Sequence, residues 1–174
     1  MHKPLSTIRA LAVCSLVLIA FGCNAGLGTI NLKAELNFPD TGGLRPRANQ
    51  PVYLLSNSIA SPEMEEAFKK FMASPTLPAK FGIGNLTDTE KRSRVGFMTS
   101  DGRDIWHRYI VDSVETDSQG KASFKKVKEG EYWLYSVVKR PSGQWVLWNV
   151  KTKVNFYDTT DLTLNNGNIS FTVN

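Results

Sequence analysis

A chain of 174 residues with 21 basic and 16 acidic side chains has a formal charge of +5, a pI of about 9.2 and a mean hydropathy of −0.24. Its two cysteines and two histidines form no cluster with metal-ligand spacing, and so small a basic excess gives little reason to expect nucleic acid.

The first stretch, MHKPLSTIR, carries Lys3 and Arg9 and no acid, and the apolar run ALAVCSLVLIAFG follows it. A basic region followed by a hydrophobic one is the layout of a secretory leader. The run is shorter than the roughly 20 residues a membrane-spanning helix needs, which argues against a permanent transmembrane helix. It closes on Ala20, Phe21, Gly22 and Cys23, which resemble the lipobox of bacterial lipoproteins. The resemblance implies cleavage before Cys23 and a diacylglycerol on its thiol; a plain secretory leader cut near Ala20 or Ala25 is the alternative. Cys14 lies in the leader, so a single thiol would remain. One thiol forms no internal disulfide, and lipidation would remove an otherwise free cysteine from an exported protein. Each buried methylene contributes about 0.8 kcal/mol to attachment, so the several acyl chains of a mature lipoprotein hold firmly. Asn24 stands where an inner-membrane retention signal would place aspartate, which implies the outer membrane if the host has one. Loss of Lys3 and Arg9 lowers the formal charge from +5 to +3, and the 152 residues from 23 onward suit one domain. A chain of that size buries about 68–70% of its unfolded surface and folds without disulfides.

Beyond the leader, TINLKAELNF alternates Ile30, Leu32, Ala34, Leu36 and Phe38 with polar residues, the pattern of a half-buried strand. DTGGLRPRANQ is turn sequence, and PVYLLS is a short strand opened by Pro51, where proline is tolerated. SPEMEEAFKKFMASP predicts a helix: Ser61 is placed to cap, Pro62 suits the first helical position, and Pro75 follows the end. Met64, Phe68, Phe71 and Met72 share one helical face, and Glu65 with Lys69 and Glu66 with Lys70 are favourable pairs. The following segment to Asp104 has few periodic apolar positions and a basic cluster at Lys91, Arg92, Arg94 and Arg103. It reads as a long surface loop, with one helical turn where Thr87 and Glu90 have capping-box spacing. KASFKKV, EYWLYSVVK and WVLWNVKTKVNF read as further strands. LTLNNGNISFTV reads as a hairpin turning at Asn166-Gly167.

Within TDSQGKASFKKVKEGEYWLY, Asp117 and Gly120 suit a hairpin turn, Phe124 points inward, Gly130 permits a second turn, and Tyr132 and Leu134 face the core. Thr116, Asp117, Gly120, Phe124, Val127, Gly130, Tyr132 and Leu134 resemble the repeating core of carboxypeptidase regulatory-like domains, the transthyretin-like or prealbumin-like sandwiches. The resemblance covers about two thirds of the chain after the leader and implies a fold, not an activity. The segment from about 56 to 104 departs from it, since the family joins those strands by a short loop.

No residue set declares a reaction. After the leader there is one histidine, His107, more consistent with structure than catalysis, and FGIGN lacks the strand and helix context of a dinucleotide loop. Asp101, Asp104, Asp112 and Asp117 flank turns, where a calcium site is a minor alternative. The basic run from Lys91 reads as a solvated loop or a contact for anionic polymers or headgroups. The aromatic residues are the stronger lead. With Tyr132 and Leu134 inward, Trp133, Tyr135 and Val137 face outward; with Val146, Trp148, Val150 and Val154 inward, Trp145 and Leu147 do so too. In matching register these five share a face too apolar to be left in water without cause. Either the predicted helix covers it with Met64, Phe68, Phe71 and Met72, the favoured expectation, or part stays open as a patch for a polysaccharide or an envelope protein.

The sequence thus predicts a mainly β chain. Residues 1–22 are the leader, 23–28 a lipidated tether, and 29–174 an antiparallel prealbumin-like β-sandwich of about seven strands with a helix and loop inserted at about 56–104. The expected role is a non-catalytic interaction or scaffolding module of the cell envelope, with no cofactor beyond the lipid on Cys23, partnering a membrane and an envelope protein or polysaccharide. A carbohydrate- or cell-wall-binding module is the alternative, and an enzyme would need a cleft gathering His107 with acids.

Overall fold

The computed structural model describes residues 26–38, 43–73 and 86–173. The expected leader, Cys14, Cys23 and the FGIGN segment lie outside them. Among the described residues nine strands form two packed sheets. In the first, β1 (Leu27–Phe38) pairs antiparallel with β2 (Gly43–Pro46) and with β5 (Lys121–Lys128), and parallel with β8 (Thr159–Leu164). The second runs in the order β4 (Ile110–Glu115), β3 (Pro51–Leu55), β6 (Gly130–Lys139), β7 (Trp145–Val154) and β9 (Phe171–Val173), all antiparallel.

The alternation on β1 does what its spacing predicts. Ile30, Leu32, Ala34, Leu36 and Phe38 are buried and meet Val52, Leu54, Phe124, Leu134, Val146, Trp148, Val154 and Leu164 between the sheets. Each fully buried Leu or Val contributes about 1.5–3 kcal/mol of apolar transfer, so this layer supplies most of the drive to fold. Trp148, with no exposed surface, donates its indole N–H to the Asn165 carbonyl at 2.9 Å, which keeps a large side chain with a polar tip inside the core.

The Thr-Asp-x-x-Gly motif links the two sheets rather than two paired strands. Asp117 Oδ1 accepts from the amides of Gln119 and Lys121 at 2.8 and 2.9 Å, which folds the chain from β4 in one sheet to β5 in the other. The expected hairpin there is therefore a crossing between layers. Gly120 has φ +75°, and a Cβ on it would stand 2.4 Å from the Ala34 carbonyl oxygen, so only glycine fits. Thr116 Oγ1 accepts from the Gln50 amide at 3.0 Å and donates to the Arg47 carbonyl, tying the entry of β3 to the end of β4. The Tyr132 hydroxyl donates back to the Lys128 carbonyl at 3.0 Å, bracing the second crossing at Gly130.

Three further expectations need correction. The sandwich is not wholly antiparallel: the turn after β7 brings the chain to the start of β1, where the Thr29 amide donates to the Asp158 carbonyl at 2.9 Å. β8 therefore sets off in the direction of β1 and pairs with it in parallel. Asn166-Gly167 makes no hairpin, because β8 joins β1 while β9 joins β7 in the other sheet. Gly167 has no positive φ; Asn165 Oδ1 accepts from the Gly167 amide at 2.8 Å and Asn168 Oδ1 from the Asn165 amide at 2.9 Å, closing a 3-10 turn at Asn166–Asn168. Finally, the expected long loop contains helix. After α1 (Pro62–Met72) come α2 (Leu86–Thr99) and α3 (Arg103–His107). No helix among the described residues is long and apolar enough to cross a membrane.

Candidate functional site

The pairing of β6 with β7 sets which side chains share the outer face of the second sheet. Trp133 lies opposite Lys151, Tyr135 opposite Asn149, Val137 opposite Leu147 and Lys139 opposite Trp145. Trp133, Tyr135, Val137, Trp145 and Leu147 therefore do point to one side, as the alternation requires once the register is in phase.

Three helices cover most of that side, not one. α1 is capped by Ser61, whose Oγ accepts from the Met64 amide at 3.3 Å, and buries Met64 and Phe68 on the sheet. Phe71 is half-buried, and Met72, expected in the cover, is 38% exposed. α2 adds buried Phe97 and Met98, and α3 adds Trp106. The Phe97 ring packs between Phe68 and Phe71, with centroids 5.5 and 5.4 Å away. It also lies against Gly102, where a Cβ would come within 2.6 Å of the ring. The Trp106 ring meets Tyr53 at 5.4 Å and Tyr135 at 5.0 Å, and its indole N–H donates to the Met98 carbonyl at 2.9 Å.

Two charge clamps hold the cover together. Arg94 of α2 donates two parallel hydrogen bonds to Glu65 of α1, at 2.5 and 3.0 Å, while its guanidinium lies 4.3 Å from the centroid of the Phe68 ring. Bidentate geometry with a stacked ring is what arginine supplies and lysine does not. The hydrogen bonds from Arg94 hold the Glu65 carboxyl below the usual carboxylate range. In the same first turn of α1, Glu63 accepts from Arg108 and, at 2.5 Å, from the Tyr109 hydroxyl. Burial, with the Glu63 bond second, pushes the Tyr109 hydroxyl pKa up, so it remains a donor at neutral pH. Burial raises that of Tyr135 much further.

The cover stops short of the β6–β7 end of the sheet and leaves a groove of about 340 Å³. Tyr53, Tyr135, Val137, Leu147 and Trp145 form its sheet side, and Val95, Met98, Thr99, Arg103, Trp106 and His107 its helical side. Tyr135 and Leu147 are buried at its floor, Val137 is half-buried, and Trp145 is 36% exposed at the rim, with Lys139 Nζ 5.5 Å from the centroid of its ring. Trp133 lies outside the groove, half-buried beside Lys151. Tyr53 was legible in outline, since Val52 and Leu54 on either side of it point inward. Trp106 carried no periodic signal, because α3 is a single short turn of helix.

The motif residues stand apart from this groove. Thr116, Phe124, Tyr132 and Leu134 are buried in or beside the sandwich core, and Gly120 and Gly130 sit at the sheet crossings. Asp117 lines instead a broad polar trough of about 570 Å³ on the first sheet, with Asn31, Lys33, Lys121, Ser123, Asp161 and Thr163. There Asn31 donates to Asp161 and accepts from Ser123, both at 3.0 Å, so these polar groups already satisfy one another. His107 is exposed on the groove wall, its ring 4.2 Å from that of Trp106. Asp101, Asp104, Asp112 and Asp117 do not gather, and among the described residues no three His, Cys, Asp or Glu side chains are placed to hold a metal ion. Arg94 belongs to the clamp and Arg103 to the groove.

No family model and no curated protein sequence matches the chain. Among solved structures it is similar to a Pseudomonas aeruginosa protein described as a proposed carbohydrate binding protein, at 16% identity over 82% of this chain and 90% of that one, with a TM-score of 0.45. It is also similar to the minor pilin of Streptococcus agalactiae, at 14% identity over 81% of this chain and 44% of the pilin, with a TM-score of 0.39. The major pilin subunit of Bacillus cereus gives 10% identity over 80% and 30%, with a TM-score of 0.34. Such likenesses fix neither a ligand nor an activity.

Proposed function

We propose that this protein is a non-catalytic binding module of the cell envelope, tethered through lipid on Cys23, whose groove beside Trp145 receives an apolar segment of another envelope protein. The observation that carries the reading is the incomplete helical cover. Three helices bury most of an aromatic sheet face, yet leave Trp145 at the mouth of a groove floored by Tyr135 and Leu147. Partly open aromatic pockets of this kind anchor partners, because rigid rings offer large contact area at small entropic cost. The lipobox-like stretch at residues 20–23 supports the envelope location, and the sequence resemblance around residues 116–134 to carboxypeptidase regulatory-like domains is compatible with a module that binds and does not react.

A protein partner fits the groove better than a glycan. Sugar recognition calls for ring stacking and many hydrogen-bonding groups together, whereas the groove is lined mainly by apolar and aromatic side chains, with Thr99, Arg103 and His107 on the helical side and the tyrosine hydroxyls of Tyr53 and Tyr135 on the sheet side as its few polar groups. The polar trough lies on the other sheet, where Asn31, Ser123 and Asp161 are already bonded to one another. The exposed Trp145 ring keeps a carbohydrate as the second reading.

The test is retention of the purified full-length protein against envelope proteins and against cell-wall polysaccharides, with Trp145→Ala in parallel. Saturable retention of one envelope protein, lost in the variant, supports the reading. Glycan retention lost in the variant transfers it to carbohydrate. Retention unaffected by the substitution removes the groove from consideration.

A further inference from the structure

Gly26, at the entry to β1, stands three residues after Cys23. A chain advances at most about 3.3–3.6 Å per residue, so Gly26 lies within roughly 11 Å of Cys23 in any conformation. Whatever else sits at that pole of the sandwich is therefore held close to the surface that holds the lipid.

What sits there is the turn between β7 and β8. The Glu129 amide donates to the Gly26 carbonyl at 3.3 Å, and the Phe156 ring packs on Gly26, 2.2 Å from where a Cβ would stand. Phe156 and Tyr157 are 57% and 76% exposed, more than any other large hydrophobic side chain among the described residues. Tyr157 has φ 53°, in the left-handed region that a tyrosine adopts only at some cost, so two adjacent aromatic rings are presented to water on a constrained turn. The flanking strands add Lys125, Lys126 and Lys128 from β5 and Lys151 and Lys153 from β7, against Glu129, Glu131, Asp158 and Asp161. Five lysines to four acids leave the pole with a small positive excess, and Lys151 is paired to Glu131 at 2.9 Å.

We propose that this pole, Phe156 and Tyr157 with the surrounding lysines, is a membrane-docking edge that seats the two rings in the headgroup layer of an anionic bilayer. The inference rests on lipidation of Cys23. Aromatic rings with an apolar body favour the interface between lipid and water, and lysines there gain from the negative surface potential of anionic lipids. A lipid alone leaves the domain free to tumble on its tether; a second contact fixes its tilt. Trp145 lies nine residues along β7 from Val154, about 30 Å at a strand's rise, so the docked domain would hold the groove out from the bilayer toward its partners.

The test uses the mature lipidated chain in vesicles of phosphatidylethanolamine and phosphatidylglycerol. Because lipid occupies Cys23 and Cys14 leaves with the leader, Tyr157→Cys creates a unique thiol for an environment-sensitive fluorophore, and Ser142→Cys, in the β6–β7 turn at the far pole, is the control. Intact mass first establishes the lipid. The expected result is a blue-shifted emission at position 157, quenched by headgroup nitroxides, and a water-like emission at 142. Slowed amide exchange at residues 155–158 of the unsubstituted chain on vesicles is the matching readout without a label. A lipidated chain whose position 157 stays in water, with exchange unchanged, overturns this inference alone. A mass without lipid overturns the anchor and this inference with it.

Discussion

Replacing Trp106 and Trp145, in separate variants, by alanine makes the same deletion at two depths of one groove. Trp106 is 7% exposed, packed edge-on to Tyr53 and against Tyr135, and bonded to the Met98 carbonyl. Its removal opens a cavity between the helical cover and the sheet and leaves that carbonyl without its donor, a loss of about 3–5 kcal/mol. For a domain of this size each kcal/mol shifts the melting temperature by about 2–4 °C, so Trp106→Ala is expected to melt about 6–20 °C lower. Trp145 is 36% exposed, so about two thirds of a buried side chain's 1.5–3 kcal/mol is at stake, roughly 1–2 kcal/mol and a fall of about 2–8 °C. The assay is thermal and urea unfolding of the two variants beside the parent, with amide exchange over α1 and α3. Equal losses, or a loss below about 1 kcal/mol for Trp106→Ala, would refute the packing of the helices and sheet into one cooperative body.

Gly120→Ala is expected to cost more than about 2 kcal/mol, since φ +75° is strained for alanine and its Cβ would meet the Ala34 carbonyl oxygen at 2.4 Å, which urea unfolding measures. Thr116→Val preserves shape but leaves the buried Gln50 amide without its acceptor, an expected loss of about 1–3 kcal/mol in the same assay. Because Arg94 depresses the folded-state pKa of Glu65, the clamp's contribution is fully present above the unfolded value near 4.3 and is lost as pH falls through the lower folded value. Urea midpoints of the parent and Glu65→Gln measured between about pH 3 and 7 should therefore differ at neutral pH and converge in acid; parallel curves would show that the pair contributes no pH-dependent stability.

The parts of this molecule written in local spacing were legible. β1 buries Ile30, Leu32, Ala34, Leu36 and Phe38 because a period of two admits no other face, and α1 begins at Ser61 and Pro62 because cap and first-turn chemistry are local. Gly120 had to be a turn residue whatever its neighbours. Of α2 only one turn was legible, at Thr87 and Glu90: farther on, Val95, Phe97 and Met98 surround Gly96 without a continuous apolar stripe, and the helix is held by Phe68, Phe71 and the Glu65 carboxylate, which belong to another element. Asn166-Gly167 carried a strong local hairpin signal that lost to topology, since the strands on either side of it had partners in different sheets. The sequence by itself determined which residues of β6 and β7 face away from the core, because side-chain direction alternates along a strand. Only the tertiary structure decided that Trp133 is left aside, that Tyr135 and Leu147 become the floor of a groove and that Trp145 stands at its rim, because cover and exposure depend on where three helices come to rest, and that is set by contacts between residues distant in the chain.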